Sequence, residues 1–138
     1  MRNHKQPFMD IHVNNLTLQE AADAIERFIV EKHKAYVVEV NTDVMIKIED
    51  DPYLRQITNE ADLVLIDGQP LVWIAKLHKR PIKEKVSGSD LSLELCRRAA
   101  DKGHTMFILG GKDGIDLMLE KLNSDRYKAI TSIGTFSF

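Results

Sequence analysis

The sequence predicts an α/β fold in which a mostly parallel, Rossmann-like sheet carries helices on both faces. Short apolar runs alternate with segments of helical periodicity along the 138 residues, which is the pattern of parallel strands joined by crossover helices. The runs are continuously apolar, which indicates strands covered on both faces. Ligands of such folds bind beyond the carboxyl ends of the strands, so we expect functional residues directly after them.

The first half of the chain is predicted to contain two strands and three helices. Thr17 and Glu20 form a capping-box pattern ahead of an apolar helical stripe, and Asp51-Pro52 is a favourable pair for starting a helix. A turn is expected at Asn14-Asn15. In order, the predicted elements are an edge strand at 8–13, a helix at 17–32, a strand at 35–40, a short helix at 44–49 and a helix at 51–60.

The second half continues the alternation of strands and helices. Residues 63–66 are continuously apolar, as expected of a buried strand, and Gly103 is a favourable residue directly after a helix. In order, the predicted elements are a strand at 63–66, a helix at 69–78, a helix from 87–90 to 102, a strand at 106–109 that ends at Gly110-Gly111, a helix at 113–122 and a strand at 129–133.

Length and composition predict a single domain over residues 1–138. Hydrophobic residues make up 43% and charged residues 29% of the chain, as in ordinary globular proteins. A net charge of −2 supplies no global basic field, so we expect no nucleic-acid partner. Cys96 is the only cysteine, which excludes an intramolecular disulfide and fits a reducing, cytoplasmic setting. The N-terminus lacks the apolar core of a signal peptide, and no uncharged stretch approaches the roughly 20 residues that span a bilayer. We expect a soluble protein that at most sits on a membrane surface.

Asp67 and Gly68 directly follow the predicted strand at 63–66. A carboxylate at the rim of an apolar sheet can have its pKa raised enough to accept a proton near neutral pH, as a general base must. The alternative is a plain Asp-Gly turn after a strand, which spacing alone favours.

Residues Ser87, Gly88, Ser89 and Asp90 open a predicted helix. Hydroxyls and unpaired backbone N–H groups at a helix N-terminus attract phosphate and other anions. The alternative, favoured without further context, is that Ser89 or Asp90 only caps the helix. The negative charge of Asp90 counts against direct contact with a phosphate.

Gly110 and Gly111 lie between a predicted strand and a predicted helix. Their lack of a side chain would let the backbone approach a diphosphate closely. The spacing fits neither the Rossmann GxGxxG fingerprint nor the Walker motif, and a tight turn between strand and helix explains the glycines equally well.

Glu39 stands in an otherwise apolar strand that is followed by Asn41 and Thr42. A charged residue in such a strand costs free energy unless it is paired or exposed, so Glu39 is a candidate site residue. The alternative is that its face of the strand meets solvent, and the sequence does not separate the two.

Other polar and aromatic residues give weaker signals. The histidines show no metal-ligand spacing and are expected on the surface, and no metal site is predicted. Trp73 is expected in the core with its apolar neighbours rather than as a platform for a sugar ring. A basic cluster is expected to be a solvated face, although it could also neutralise a diphosphate or meet anionic lipid. The histidines are His4, His12, His33, His78 and His104, and the cluster is Lys76, Lys79, Arg80, Lys83 and Lys85.

Four sequence blocks, taken in order, resemble the WecG/TagA/CpsF glycosyltransferases. They are VVEVNTDV (37–44), DPYLRQITNEADLVLIDGQPLVW (51–73), EKVSGSDL (84–91) and FILGGKDG (107–114), and the last residues, ITSIGTFSF (130–138), also resemble the next strand of that family. The similarity covers nearly the whole chain from Phe8 onward.

The resemblance implies an inverting, metal-independent enzyme with no cofactor. Such enzymes transfer a sugar, often N-acetylmannosamine or its uronic acid, from a UDP donor to a polyprenyl-diphosphate-linked acceptor sugar at the cytoplasmic face of the membrane. The products feed wall teichoic acid, enterobacterial common antigen, capsule or exopolysaccharide.

The resemblance also assigns residues. Asp67 matches the proposed general base of the family, Asn41 its asparagine in the first block, Gly88–Asp90 its GSD block and Gly110-Gly111 its GG block. The candidate substrate-binding residues are Glu39, Asn41, Thr42, Gly68, Lys85, Ser87, Gly88, Ser89, Asp90, Gly110 and Gly111.

Three departures from the family pattern stand out. Many members carry threonine where this chain has Glu39, and arginine where it has Lys85, whose ammonium lacks the bidentate fork. Members also usually extend well beyond the position of Phe138, so we expect an incomplete family domain. An apolar sheet edge left open would promote homo-oligomers. The alternative to an enzyme is a remnant that binds nucleotide or a partner and turns nothing over.

Overall fold

The computed structural model describes residues 4–107 and confirms the α/β class. The chain falls into two compact units, Met1–Leu91 and Ser92–Phe138. The elements are β1 (Lys5–Phe8), β2 (Ile11–Asn14), α1 (Leu18–Val30), β3 (Val37–Val40), α2 (Thr42–Asp50), α3 (Pro52–Glu60), β4 (Leu63–Ile66), α4 (Gln69–Leu77) and α5 (Gly88–Lys102). The predictions for Gly110-Gly111 and for residues 113–122 and 129–133 lie outside the described residues, as does most of the strand predicted at 106–109.

The predicted parallel pairing is confirmed for β3 and β4, which run side by side from Val37 opposite Leu63 to Val40 opposite Ile66. All four residues of β4 are buried. Its other edge is also occupied, because the Val64 N–H donates to Asn14 Oδ1 at 2.8 Å and the Val86 N–H donates to the Ile66 carbonyl at 2.8 Å. The most apolar strand of the described residues therefore lies in the interior, as its sequence predicts.

The single edge strand predicted at 8–13 is wrong, because the structure forms a hairpin there. β1 and β2 pair antiparallel with Phe8 opposite Ile11, and the two-residue turn is Met9-Asp10. Met9 has a φ of 50°, in the left-handed region that such turns require. Glycine and asparagine mark this turn in most sequences, so a methionine there gave no local signal.

Helix starts follow the capping residues. Thr17 Oγ1 accepts from the Glu20 N–H at 3.2 Å and Glu20 Oε2 accepts from the Thr17 N–H at 2.8 Å, which confirms the predicted capping box of α1. Asp51 caps α3 as predicted. The helix predicted at 44–49 begins earlier, at Thr42, because Asn41 Oδ1 accepts from the Val44 N–H at 2.9 Å. Gly103, with a φ of 72°, follows the end of α5 as expected.

The core of the first unit lies between the strands and their flanking helices. Fully buried side chains come from β2, β3 and β4, and α2 and α4 add one face each. Each buried aliphatic side chain contributes about 1.5–3 kcal/mol relative to exposure. The helix residues of this core include Met45, Ile48, Leu71 and Ala75.

The expectation that Trp73 lies in the core is wrong. Leu71 and Ala75 are buried, but Trp73 is 64% exposed and Leu77 is 81% exposed. Positions two residues apart lie about 200° apart around a helix axis, so the face of α4 that buries Leu71 turns Trp73 outward. No helix within residues 4–107 has the length and apolar character needed to cross a bilayer.

Candidate functional site

Three segments meet at the carboxyl end of the β3–β4 pair. The Asp67 N–H donates to the Val40 carbonyl at 2.9 Å, which continues the pairing one residue beyond β4. The Val86 N–H donates to the Ile66 carbonyl at 2.8 Å, which brings the segment before α5 to the opposite edge of β4. Residues that follow β3, residues that follow β4 and residues that open α5 therefore lie side by side, as expected for this fold class.

Glu39 and Asp67 share one face of this edge. Glu39 lies opposite Leu65 in the register, and Asp67 comes two residues after Leu65. Side chains two residues apart on an extended strand point to the same face, so the two carboxyl groups are diagonal neighbours. The sequence separates them by more than two dozen residues, and only the register of β3 against β4 brings them together.

The carboxyl group of Glu39 also reaches the start of α5. A Cβ atom placed on Gly88 would lie 2.1 Å from Glu39 Oε2 and 2.9 Å from its Cδ. The carboxyl group therefore fills the space that any other residue at position 88 would need. The Glu39 side chain is half-buried against Gly88 and is not simply exposed to solvent, and its role as a site residue stays a prediction.

Burial raises the pKa of the Glu39 carboxyl above its ordinary value, and the negative charge of Asp67 raises it further. Both causes disfavour the ionised form of Glu39. Glu39 therefore retains its proton to a higher pH than an exposed glutamate does. A carboxyl that holds its proton beside a second carboxyl is a common arrangement in sites that move protons.

Gly68 follows Asp67 and is the N-cap residue of α4. Its φ is 137°, which side-chain-bearing residues rarely adopt, so glycine is required there. A Cβ atom on it would meet nothing nearer than Pro70 Cδ at 4.0 Å. The conformation explains this glycine, since among residues 4–107 a side chain at this position would find room.

The residues at the start of α5 do not follow the predicted capping scheme. The Ser87 carbonyl accepts from the Leu91 N–H at 2.9 Å, so Ser87 occupies the N-cap position, and Ser89 and Asp90 lie in the first turn. The hydroxyls of Ser87 and Ser89 are hydrogen-bonded at 2.9 Å. The prediction that Ser89 or Asp90 caps the helix is therefore wrong, by two positions for Ser89 and by three for Asp90.

The remaining candidates lie around this edge. Asn41 caps α2 and Thr42 is its first residue, and both are exposed. Lys85 is exposed ahead of α5, and its chain position next to Val86 keeps it near the end of β4. Gly110 and Gly111 lie outside the described residues. Within residues 4–107, no group of three or more acidic, histidine or cysteine side chains is arranged to hold a metal ion.

Three helices begin at this same edge: α2 after β3, α4 after β4 and α5 after Val86. The first turn of each helix exposes N–H groups and the positive end of the helix dipole. The edge therefore combines a pair of carboxyl groups with the N-terminal ends of three helices. The contact between Glu39 and Gly88 is the feature that sequence reasoning missed, because no local pattern reports a contact between residues so far apart.

Comparison with known families identifies the family of the chain. A sequence model of the glycosyl transferase WecG/TagA/CpsF family matches residues 6–137, a range that includes every candidate site residue. Members of the family are glycosyltransferases with a role in the synthesis of cell-wall polysaccharides. The chain belongs to the WecG/TagA/CpsF family of glycosyltransferases.

Proposed function

We propose that this protein transfers a sugar, N-acetylmannosamine or a relative, from a UDP donor to a polyprenyl-diphosphate-linked acceptor sugar, with inversion and without a metal ion. The observation that carries the proposal is the meeting of Asp67, Glu39 and the start of α5 at one edge of the sheet. Family membership supports sugar transfer in general, and the residues at this edge support the specific chemistry.

Asp67 is the proposed general base. Asp67 directly follows β4, and its N–H donates to the carbonyl of Val40 at the end of β3. Its side chain is partly exposed, so an acceptor can reach it. The carboxylate accepts the proton of the acceptor hydroxyl while that oxygen attacks the anomeric carbon from the side opposite the diphosphate. The bond from the anomeric carbon to the diphosphate oxygen breaks with its electron pair, and UDP leaves.

The leaving diphosphate needs positive charge and hydrogen-bond donors. Gly68 and Gly88 leave the starts of α4 and α5 uncovered by their own side chains, which lets backbone N–H groups approach an anion. The exposed ammonium of Lys85 supplies a mobile positive charge beside them. Gly110 and Gly111, which lie outside the described residues, are proposed to bind the diphosphate on the basis of the sequence alone.

The protonation state of Glu39 determines whether a phosphate group can bind at the start of α5. An ionised Glu39 would repel a phosphate group at the start of α5, and the protonated form would donate a hydrogen bond to it instead. Burial and the charge of Asp67 raise the pKa of Glu39, so protonation costs less there than at an exposed glutamate, and we adopt the second arrangement. We propose that Glu39 contacts the donor as a hydrogen-bond donor, in the position where many relatives carry threonine.

The acceptor defines where the protein works. A polyprenyl diphosphate is held in a bilayer, so the enzyme acts at the cytoplasmic face of the membrane as a peripheral protein. Association into homo-oligomers, expected from the sequence, remains a proposal.

The test of the catalytic assignment is Asp67→Asn. We expect the rate of transfer to fall by about 10²–10⁴-fold, because an amide does not accept the hydroxyl proton. Affinity for the UDP-sugar, measured by titration calorimetry, should stay close to that of the wild type, because the base contacts the acceptor. Asp50→Asn is the matched control, since Asp50 is an exposed aspartate at the end of α2, and it should leave both values unchanged.

Two outcomes would contradict the proposal. Undiminished transfer by Asp67→Asn would remove Asp67 from its role. Binding of UDP and UDP-N-acetylmannosamine by the wild type without any turnover would indicate a nucleotide-binding protein instead, and equal affinity for other nucleotides would remove the preference for UDP.

A further inference from the structure

The outer face of α4 exposes large apolar side chains. Trp73 is 64% exposed and Leu77 is 81% exposed, and residues four apart lie on the same side of a helix. The opposite side of α4, with Leu71 and Ala75, is buried in the core. The inner face of α4 is already packed, so Trp73 and Leu77 add nothing to the core. Large apolar side chains exposed side by side usually mark a surface that contacts a partner.

The turn between β1 and β2 extends this surface. Met9 at the turn is 53% exposed, and it lines a hollow of about 360 Å³ together with two residues that follow α4. Arg80 Nη1 donates to the Pro7 carbonyl at 3.3 Å, which holds the segment after α4 against the hairpin. The hollow is lined by Pro7, Phe8, Met9, His78 and Arg80.

The charge of the same segment is uniformly positive. The residues between Asp67 and Glu84 include no aspartate or glutamate, and they include Lys76, Lys79, Arg80 and Lys83. Lys83 pairs with Glu20 at 2.9 Å. Lys76 and Lys79 are exposed, and neither has an ion-pair partner among residues 4–107. Within residues 68–83 the apolar surface is therefore bordered by cations alone, and Asp10, beside Met9 in the turn, is an exposed acid at its margin.

The exposed apolar side chains and the cations around them allow two possible partners to be compared, a second copy of this chain and an anionic lipid surface. A second copy packed through the same face would place these cations against one another, which costs free energy in a two-fold interface. An anionic lipid surface attracts the same cations, accepts their long side chains at headgroup level and takes tryptophan and leucine into the boundary below. Charge complementarity therefore favours the lipid surface.

We propose that the face formed by Trp73, Leu77 and Met9 with Lys76, Lys79 and Arg80, here called the α4 face, docks on an anionic membrane surface. Gly68, the N-cap residue of α4, is next to Asp67 in the chain, and Trp73 lies only about 7 Å further along the helix axis. Docking would therefore hold the proposed base close to the membrane. That last consequence rests on the proposed function, whereas docking itself does not.

Trp73 makes the proposal directly testable, because it is the only tryptophan of the chain. Adding phosphatidylglycerol–phosphatidylcholine vesicles to the whole protein should shift its emission to shorter wavelength, and vesicles of phosphatidylcholine alone should not. Leu77→Ser with Met9→Ser should weaken binding at least about tenfold, as expected when two inserted apolar groups are lost. Lys76→Gln with Lys79→Gln should weaken it further by roughly fivefold per residue removed, and added salt should do the same.

The matched control is Ile46→Ser with Tyr53→Ser, which removes two equally exposed apolar side chains from α2 and α3. This control should bind as the wild type does, and circular dichroism should show all variants folded. No emission shift with anionic vesicles would overturn the proposal. Equal loss of binding in the control would overturn it too, and so would a shift that appears without lipid as protein concentration rises, which would identify a second copy as the occupant. Each readout is independent of sugar transfer, so failure here leaves the proposed function standing and the reverse also holds.

Discussion

At the scale of single residues, Glu39 shows how strand register changes the meaning of a side chain. In the sequence it is a lone acid within a short apolar strand, and solvent exposure explains it as well as function does. In the fold its carboxyl group lies against Gly88 and on the same face as Asp67. Burial and the charge of Asp67 then raise its pKa.

A raised pKa makes the stability of the protein depend on pH in a defined direction. The folded state binds the Glu39 proton more tightly than the unfolded state, whose value is near 4.5. The stabilising effect of this protonation is complete below that value and is lost as the pH rises through the higher folded pKa. We expect Glu39→Gln to remove the contribution of Glu39 to the pH dependence of the free energy of unfolding, which urea unfolding measures between about pH 4 and pH 8.

Glu49→Gln, an exposed glutamate of α2, is the control for the pH profile and should keep the wild-type slope. If the wild type and Glu39→Gln differ by a constant amount at every pH, Glu39 does not titrate in the expected direction.

At the scale of elements, the start of α5 is shaped by its contact with β3. Alanine at an unstrained helix position is worth up to about 1 kcal/mol more than glycine. At Gly88 that gain is opposed, because the added Cβ would lie 2.1 Å from Glu39 Oε2 and the carboxyl group must move. The glycine is therefore explained by a neighbouring side chain, whereas at Gly68 the backbone requires it.

A double-mutant cycle tests this explanation. We expect Gly88→Ala to lower the free energy of unfolding by about 1–3 kcal/mol in the wild type, the usual cost of overpacking. In a Glu39→Thr background the same change should be neutral or stabilising, because the shorter side chain leaves room. Chemical denaturation of the four proteins gives the coupling energy. Equal effects of Gly88→Ala in both backgrounds would show that Glu39 does not restrict position 88.

Elements with strong local signals were predictable, and contacts between distant elements were not. The capping box at Thr17, the Asp51-Pro52 start and the apolar run of β4 are all confirmed, since each depends on residues close together in the chain. The hairpin turn at Met9 was missed because its left-handed residue is a methionine. The outward position of Trp73 was missed because an all-apolar stretch does not say which face of a helix is buried.

The predictions for the candidate site fall into the same two groups, local signals that were predictable and distant contacts that were not. That Asp67 and Gly68 follow a strand, and that residues 87–90 open a helix, is evident from the order of elements, and this much was predicted. The approach of Glu39 to Gly88 depends on the β3–β4 register and on the bond from Val86 to Ile66, and neither leaves a pattern in the sequence. Substrate roles for these residues remain predictions.

At the scale of the whole molecule, Asn14 links the N-terminal hairpin to the parallel pair. It is only 2% exposed, and its Oδ1 accepts from the Val64 N–H at the centre of the core. A buried polar group of this kind is tolerated because it satisfies a backbone donor that would otherwise lack a partner.

Asn14→Ala should therefore lower the free energy of unfolding by about 1–3 kcal/mol, the cost of leaving a buried donor unsatisfied. Urea unfolding measures the change. His12→Ala, an exposed position on the same strand, should stay within about 0.5 kcal/mol of the wild type. A loss at Asn14 no larger than at His12 would show that the hairpin is not held through this bond.

The occupied edges of β4 have a consequence for how the protein behaves when concentrated. Leu63–Ile66 combines high β-propensity with no charge, the composition of segments that seed cross-β aggregates. Such a segment is hazardous when its backbone is open to a strand from another molecule. Here β3 lies along one side of β4, and Asn14 with Val86 lies along the other. The native fold therefore prevents β4 from pairing with a strand of another molecule until the chain unfolds.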